Sequence, residues 1–134
     1  MADRESISIR NVDKGIQPVP MGSKLDKIVY SSPIPPLDPD VGAVPESPDA
    51  QAAALFKNIR AFVDACGATP DRIVHMSISL RDPKYREYLN PEWVKMFPDE
   101  SSRPARRIVV TTRQGDQIRP GQTLFHADLV VVLP

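Results

Sequence analysis

The chain has a single cysteine, Cys66, which excludes an intramolecular disulfide. It has only two histidines, His75 and His126, so no structural zinc site and no other metal centre is expected. Charge of either sign is not in surplus: 17 Lys and Arg face 17 Asp and Glu, for a formal net charge of zero. Nucleic acid and anionic membrane surfaces usually require a basic face, and neither is expected as a partner. No apolar run approaches membrane-spanning length, and the opening Met-Ala-Asp-Arg-Glu-Ser lacks the apolar core of a signal peptide. The expectation is a soluble, cytoplasmic protein.

What is present is proline, 15 residues, eight of them before residue 49. That makes the first third loop-rich with short strands. A length of 134 residues suits one domain over 1–134 with a real core, residues 1–14 forming a less ordered N-terminal strand region.

Ser6–Arg10 alternates polar and apolar and reads as a half-buried strand. The stretch through Met21-Gly22 reads as irregular, and Lys27–Ser32 as a second strand ended by Pro33. Ser47-Pro48-Asp49 opens the clearest helix: a preferred cap, a proline at the first position and an acid in the first turn. Leu55, Ile59, Phe62, Val63 and Cys66 recur at helical spacing as its buried stripe, and Gly67 stops it. Cys66 on that stripe reads as a small core residue rather than a nucleophile. In 71–82, Val74, Met76, Ile78 and Leu80 point one way, and Ile73, His75, Ser77, Ser79 and Arg81 the other. The second set is too mixed for a core and suits a face that meets another subunit.

Asp82-Pro83 starts a second helix with Tyr85, Tyr88, Leu89, Trp93 and Phe97 inward; Pro91 should kink or restart it, with Asn90 as a cap. A charged loop then leads through Arg103-Pro104-Ala105-Arg106-Arg107 into a strand over about 106–113, followed by a turn region at 114–121. The last strand, Thr123 to Leu133, sets Leu124, His126, Asp128, Val130 and Val132 against Phe125, Ala127, Leu129, Val131 and Leu133. The order strand, strand, helix, strand, helix, strand, strand implies an α+β domain, a mixed sheet with two helices on one face. The uncovered face favours an oligomer.

A guanidinium at a strand entrance is a good anchor for a small carboxylate, because its planar fork donates two parallel hydrogen bonds. The competing reading of these arginines is of solvated charges beside a strand.

Four segments stand in order along the chain: Ile28–Pro35 with Gly42-Ala43-Val44-Pro45, the helix Gln51–Gly67, Tyr88-Leu89-Asn90 to Phe97, and Arg103-Pro104-Ala105-Arg106. Together they resemble the reactive-intermediate deaminases, the Rid or YjgF-like family, and the last is similar to that family's Pro-Ala-Arg motif. The resemblance runs from about Gly15 to Val132. It implies a chorismate-mutase-like fold, a homotrimer with active sites between subunits, and cofactor-free hydrolysis of imines and enamines such as 2-iminopropanoate to the keto acid and ammonia. Carried over, Arg106 binds the substrate carboxylate, groups near Ser31 and Ser32 line the same cleft, and Asn90 contributes.

The departures from the family's pattern are informative. Where it has a glutamate on the last strand, this chain has Phe125-His126-Ala127-Asp128, leaving His126 or Asp128 to handle protons; an interfacial hydrogen-bonding pair is the competing reading. Val19 stands where many deaminating members have tyrosine, Ser32-Pro33 replaces glycine-glutamine, and Arg107-Ile108 replaces a small residue followed by cysteine. The pocket is remodelled, toward a larger aminated unsaturated acid. The alternative function is a non-catalytic, small-acid-binding or regulatory trimer of the same fold. RNA cleavage, a third reading attached to the family's name, sits poorly with zero net charge and no basic, aromatic-interleaved patch.

Overall fold

The computed structural model describes residues 3–9, 12, 17–111 and 121–134. The ends of two expected strands, at Arg10 and at residues 112–113, and most of the turn region 114–121 lie outside the described residues. The elements are β1 (Glu5–Ile7), β2 (Gly22–Leu25), β3 (Ile28–Ser31), α1 (Pro48–Ala65), β4 (Ile73–Leu80), α2 (Arg86–Met96), β5 (Ala105–Val110) and β6 (Phe125–Val132). The sheet order is β1-β2-β3-β6-β4-β5. All neighbours are antiparallel except β4 and β5, which run parallel and place Met76 beside Arg106 and Ile78 beside Ile108. The α+β mixed sheet with two helices is therefore as expected.

The expected irregular stretch around Gly22 is instead β2. Gly-Ser-Lys-Leu has no β-branched residue to announce a strand. Its place is set by a tight turn to β3, with Asp26 in the left-handed region at φ 53°, and by Gly22. A Cβ on Gly22 would lie 2.4 Å from Cζ of Phe62, so only glycine lets the strand pass this close to α1.

Helix α1 begins as expected at Ser47-Pro48, although the serine side chain makes no capping bond; its carbonyl accepts from the Gln51 N–H at 3.0 Å. The helix ends in a Schellman motif. Gly67 sits at φ 78° and donates to Asp64, and Ala68 donates to Val63. Its inner face carries two buried polar groups among the hydrocarbons. Gln51 donates to the carbonyls of Pro45 and Gln122 and accepts from Leu124 N–H, while Asn58 donates to the carbonyls of Pro35 and Leu37. These two side chains tie the proline-rich loop and the entry to β6 onto the helix, supplying hydrogen bonds that irregular backbone cannot make for itself.

Alternation on β4 holds from Met76 onward. Met76, Ile78 and Leu80 are fully buried against the helices. Before them a bulge between Ile73 and His75 swaps the expected pair: Ile73 is buried and Val74 lies 48% exposed. Helix α2 also departs from expectation. It runs unbroken through Pro91, preceded by a 3-10 turn at Pro83–Tyr85, and Asn90 is not a cap. Pro91 is solvent-exposed inside the helix, so water can serve the Glu87 carbonyl that its missing N–H leaves open. The inward residues are those the spacing predicts, with Tyr85 edge-on to Phe125 at 6.1 Å.

Candidate functional site

The site is built at the sheet's edge. Arg103 donates from Nε to the Phe97 carbonyl, which pins the end of α2 to the start of β5. Arg106 then falls beside Met76, on the helix-covered face. Among the described residues β5 is the edge strand, and from it the Arg106 side chain reaches α2. Nη1 donates to Asn90 Oδ1 at 2.9 Å, and the guanidinium carbon lies 4.8 Å from the centre of the Trp93 ring. Burial, and secondarily Arg86, lower the Arg106 pKa from its ordinary value. Arginine nonetheless stays charged near neutrality. Among the described residues its hydrogen-bond partner is a neutral amide, leaving Nε and Nη2 able to donate. A cation fixed in direction by an amide and an aromatic face, with donors to spare, is chemically suited to a carboxylate.

The other expected residues are placed elsewhere in the chain. Ser31 Oγ accepts from the Leu129 N–H, and Ser32 donates its Oγ–H to the Pro20 carbonyl and its N–H to Met21. Both belong to the β3 side, and β6 and β4 intervene before β5. At about 4.8 Å per strand spacing, roughly 14 Å separates them from Arg106. Ser32 shares a cleft of about 270 Å³ with Gln17, Val19, Pro20 and Pro33. Two of the departures from the family pattern, Val19 and Ser32-Pro33, thus meet in one place.

His126 and Asp128 stand on the open face of β6, opposite Ser79 and Ser77 of β4. His126 lines a cleft of about 250 Å³ with Ser79, Arg81, Thr111 and Thr123. Burial lowers its pKa below the ordinary histidine value, opposed by Asp128, so the imidazole is neutral near pH 7. Its Nδ1 is buried and has no hydrogen-bond partner among the described residues. One chain therefore brings together Arg106 and Asn90, and separately His126 and Asp128, on opposite faces of the sheet. Trp93 was assigned from spacing only to the inward face of α2; its position three residues after Asn90, one helical turn on, was the signal that it shares the Arg106 site.

Burial pushes the Cys66 thiol up to about 11, so it is not a thiolate at neutral pH, as its place on the α1 stripe implied. Ile108, which replaces the family's cysteine, packs against the core. Among the described residues no three His, Cys, Asp or Glu side chains gather as a metal site, and no helix is long and apolar enough to cross a membrane.

The family model described as Endoribonuclease L-PSP matches residues 18–117. A 2-iminobutanoate/2-iminopropanoate deaminase of Salmonella typhimurium is 30% identical over 110 residues, covering 81% of this chain and 86% of that protein. Among solved structures, the YjgF gene product of E. coli superposes with a TM-score of 0.80 at 25% identity, covering 96% of this chain and 98% of that one. E. coli TdcF with bound serine superposes with a TM-score of 0.82 at 22% identity, over 97% and 99%. With a matched family model over most of its length, deaminase relatives and this shared fold, the chain belongs to the Endoribonuclease L-PSP family, the reactive-intermediate deaminase family that its motifs resemble.

Proposed function

We propose that the protein is a cofactor-independent enamine and imine deaminase that hydrolyses a small, carboxylate-bearing 2-imino or 2-amino-unsaturated acid to the keto acid and ammonia. The observation that carries this reading is Arg106, held by Asn90 and Trp93 with donors still open. The names of the deaminase relatives support the reaction class.

The chemistry asks little of the protein. A 2-amino-unsaturated acid first takes a proton from solvent at its β-carbon and becomes the iminium, whose carbon is already electrophilic. Water adds to that carbon, forming the C–O bond and passing a proton to nitrogen. The C–N bond then breaks as ammonia leaves and the carbonyl forms with loss of the hydroxyl proton. Arg106 fixes the carboxylate and hence the position of that carbon. A neutral His126 is in the right form to accept a proton from the attacking water and return it to the departing nitrogen, with Asp128 beside it to favour the transient imidazolium. Because Arg106 and His126 lie on opposite faces of one sheet, the reading requires that the site be completed by a second copy, in a homotrimer with inter-subunit sites. The open face supports this: Ile28 and Tyr30 are 52% and 60% exposed there, alongside the half-buried Val130 and Val132. Ser31 and Ser32 would enter the site the same way.

The test is release of keto acid and ammonia from a freshly generated 2-imino acid. Arg106→Ala is expected to lower kcat/KM about a hundredfold or more, the worth of a bidentate charge-assisted pair, and Arg106→Lys about tenfold. Full activity in Arg106→Ala would remove the anchor from the site. Binding of keto acids through Arg106 with no acceleration of any imine would favour the non-catalytic reading.

A further inference from the structure

Arg106 is not alone at the edge formed by α2 and β5. Arg86 is the first residue of α2, and Asn90 and Trp93 follow it by four and seven residues, so the three share one face of the helix. That is the face Arg106 meets, through the 2.9 Å bond to Asn90 and the 4.8 Å approach to Trp93. Arg86 therefore projects from the same face one turn before the Asn90 that holds Arg106, and its charge adds to burial in lowering the Arg106 pKa. Neither has a carboxylate partner among the described residues. The arrangement is unfavourable as it stands. Like charges repel, and a cation at the first position of a helix opposes the helix dipole. Both costs are offset when anionic groups occupy the space between the guanidiniums. One carboxylate fills one guanidinium fork, and here there are two forks.

We propose that this site selects substrates with two carboxylates, Arg106 taking the one beside the imine carbon and Arg86 the distal one. The substrate class is then a 2-imino or 2-amino-unsaturated dicarboxylic acid, and the product the matching 2-oxo diacid. The inference rests on the reading of Arg106 as the carboxylate anchor.

Trp93 is the only tryptophan in the chain and touches Arg106, so its emission reports occupancy without any turnover. The probes are 2-oxoglutarate and 2-oxopentanoate, which share a five-carbon chain and differ at the distal carboxylate. The native assembly is expected to bind the diacid about tenfold more tightly at low ionic strength, with the gap narrowing as salt is added. In Arg86→Gln the gap should close to within about twofold, and in Arg106→Gln both acids should weaken. Equal binding of the two acids by the wild type, or a gap that survives in Arg86→Gln, overturns the proposal. Failure of both acids to bind, by emission and by calorimetry, overturns it together with the anchor. Turnover separates the two ideas. If imines of mono- and diacids are hydrolysed equally well, only the diacid preference fails; if diacids bind preferentially and no imine is hydrolysed, only the deaminase reading fails.

Discussion

Along β6, Phe125, Ala127, Leu129 and Val131 are sealed beneath the helices, while His126, Asp128 and Val130 alternate with them on the open side. The same strand thus belongs to two environments. On the covered side, shape decides everything: the side chains are apolar, fully enclosed and matched to α1 and α2. On the open side, Ser77, Ser79, His126 and Asp128 stand among valines and tyrosine with room left over. A period of two lets one strand hold a core and a chemical surface without either compromising the other. Arg106 is the exception that teaches most. It is a charge on the covered side, tolerated because β5 is the edge strand and because Asn90 and Trp93 take the place of water around it.

The sharpest way to break this contrast is at Phe62, the ring that fills the space against Gly22. Phe62→Ala should cost about 3–5 kcal/mol, from lost burial plus the cavity left behind, read from the urea midpoint of the native assembly. Asp128→Asn on the open face keeps the side chain's volume and leaves no cavity, so it should move the same midpoint by far less, about 1 kcal/mol at most even where a second copy covers that face. Comparable losses at both positions would mean that the open face is packed as tightly as the covered one.

A smaller effect is expected at Gln51, the fully buried amide that ties the loop at Pro45 and the entry to β6 onto α1. Gln51→Leu keeps the volume but takes the partner from the buried Leu124 N–H and removes bonds to two carbonyls. A loss of about 2–3 kcal/mol follows. A neutral outcome would show that packing alone orders this junction.

Both covered-face positions bear on what the sequence discloses. Leu55, Ile59, Phe62 and Val63 sit at helical spacing, and Met76, Ile78 and Leu80 alternate cleanly; burial follows directly from such periodicity, so the core and the α+β class were legible. Strand β2 was not, because Gly22-Ser23-Lys24-Leu25 is held by a close approach to Phe62, a contact no local pattern encodes. The bulge at Val74 was likewise invisible, since a single inserted residue leaves local composition unchanged. Pro91 misled in the opposite direction: a helix breaker by rule, it is tolerated inside α2, on a solvent-exposed face. For the site, it was the resemblance over four segments, and not the Arg103-Pro104-Ala105-Arg106 tetrapeptide alone, that singled out Arg106, and the hydrogen bond to Asn90 joins two residues that the resemblance named. The relation of Arg106 to His126 could not be read, because which face a residue takes at a sheet edge depends on strand register.

The last effect belongs to His126, and it tests whether burial or Asp128 sets the charge of the imidazole on the open face. Burial lowers the His126 pKa in the folded chain, with Asp128 only partly opposing it. The unfolded chain therefore takes up a proton at a higher pH than the folded one. Stability should be fully retained above the ordinary histidine pKa of about 6.5, fall as pH drops below it, and level off below the folded pKa. His126→Gln should flatten that slope between pH 7.5 and pH 5.5, measured as the change in urea midpoint relative to wild type. If the slope instead has the opposite sign, with stability gained on acidification, Asp128 outweighs burial and the imidazole is a resident cation. It could then not accept the proton of an attacking water, and the base in the deaminase reading would pass to Asp128.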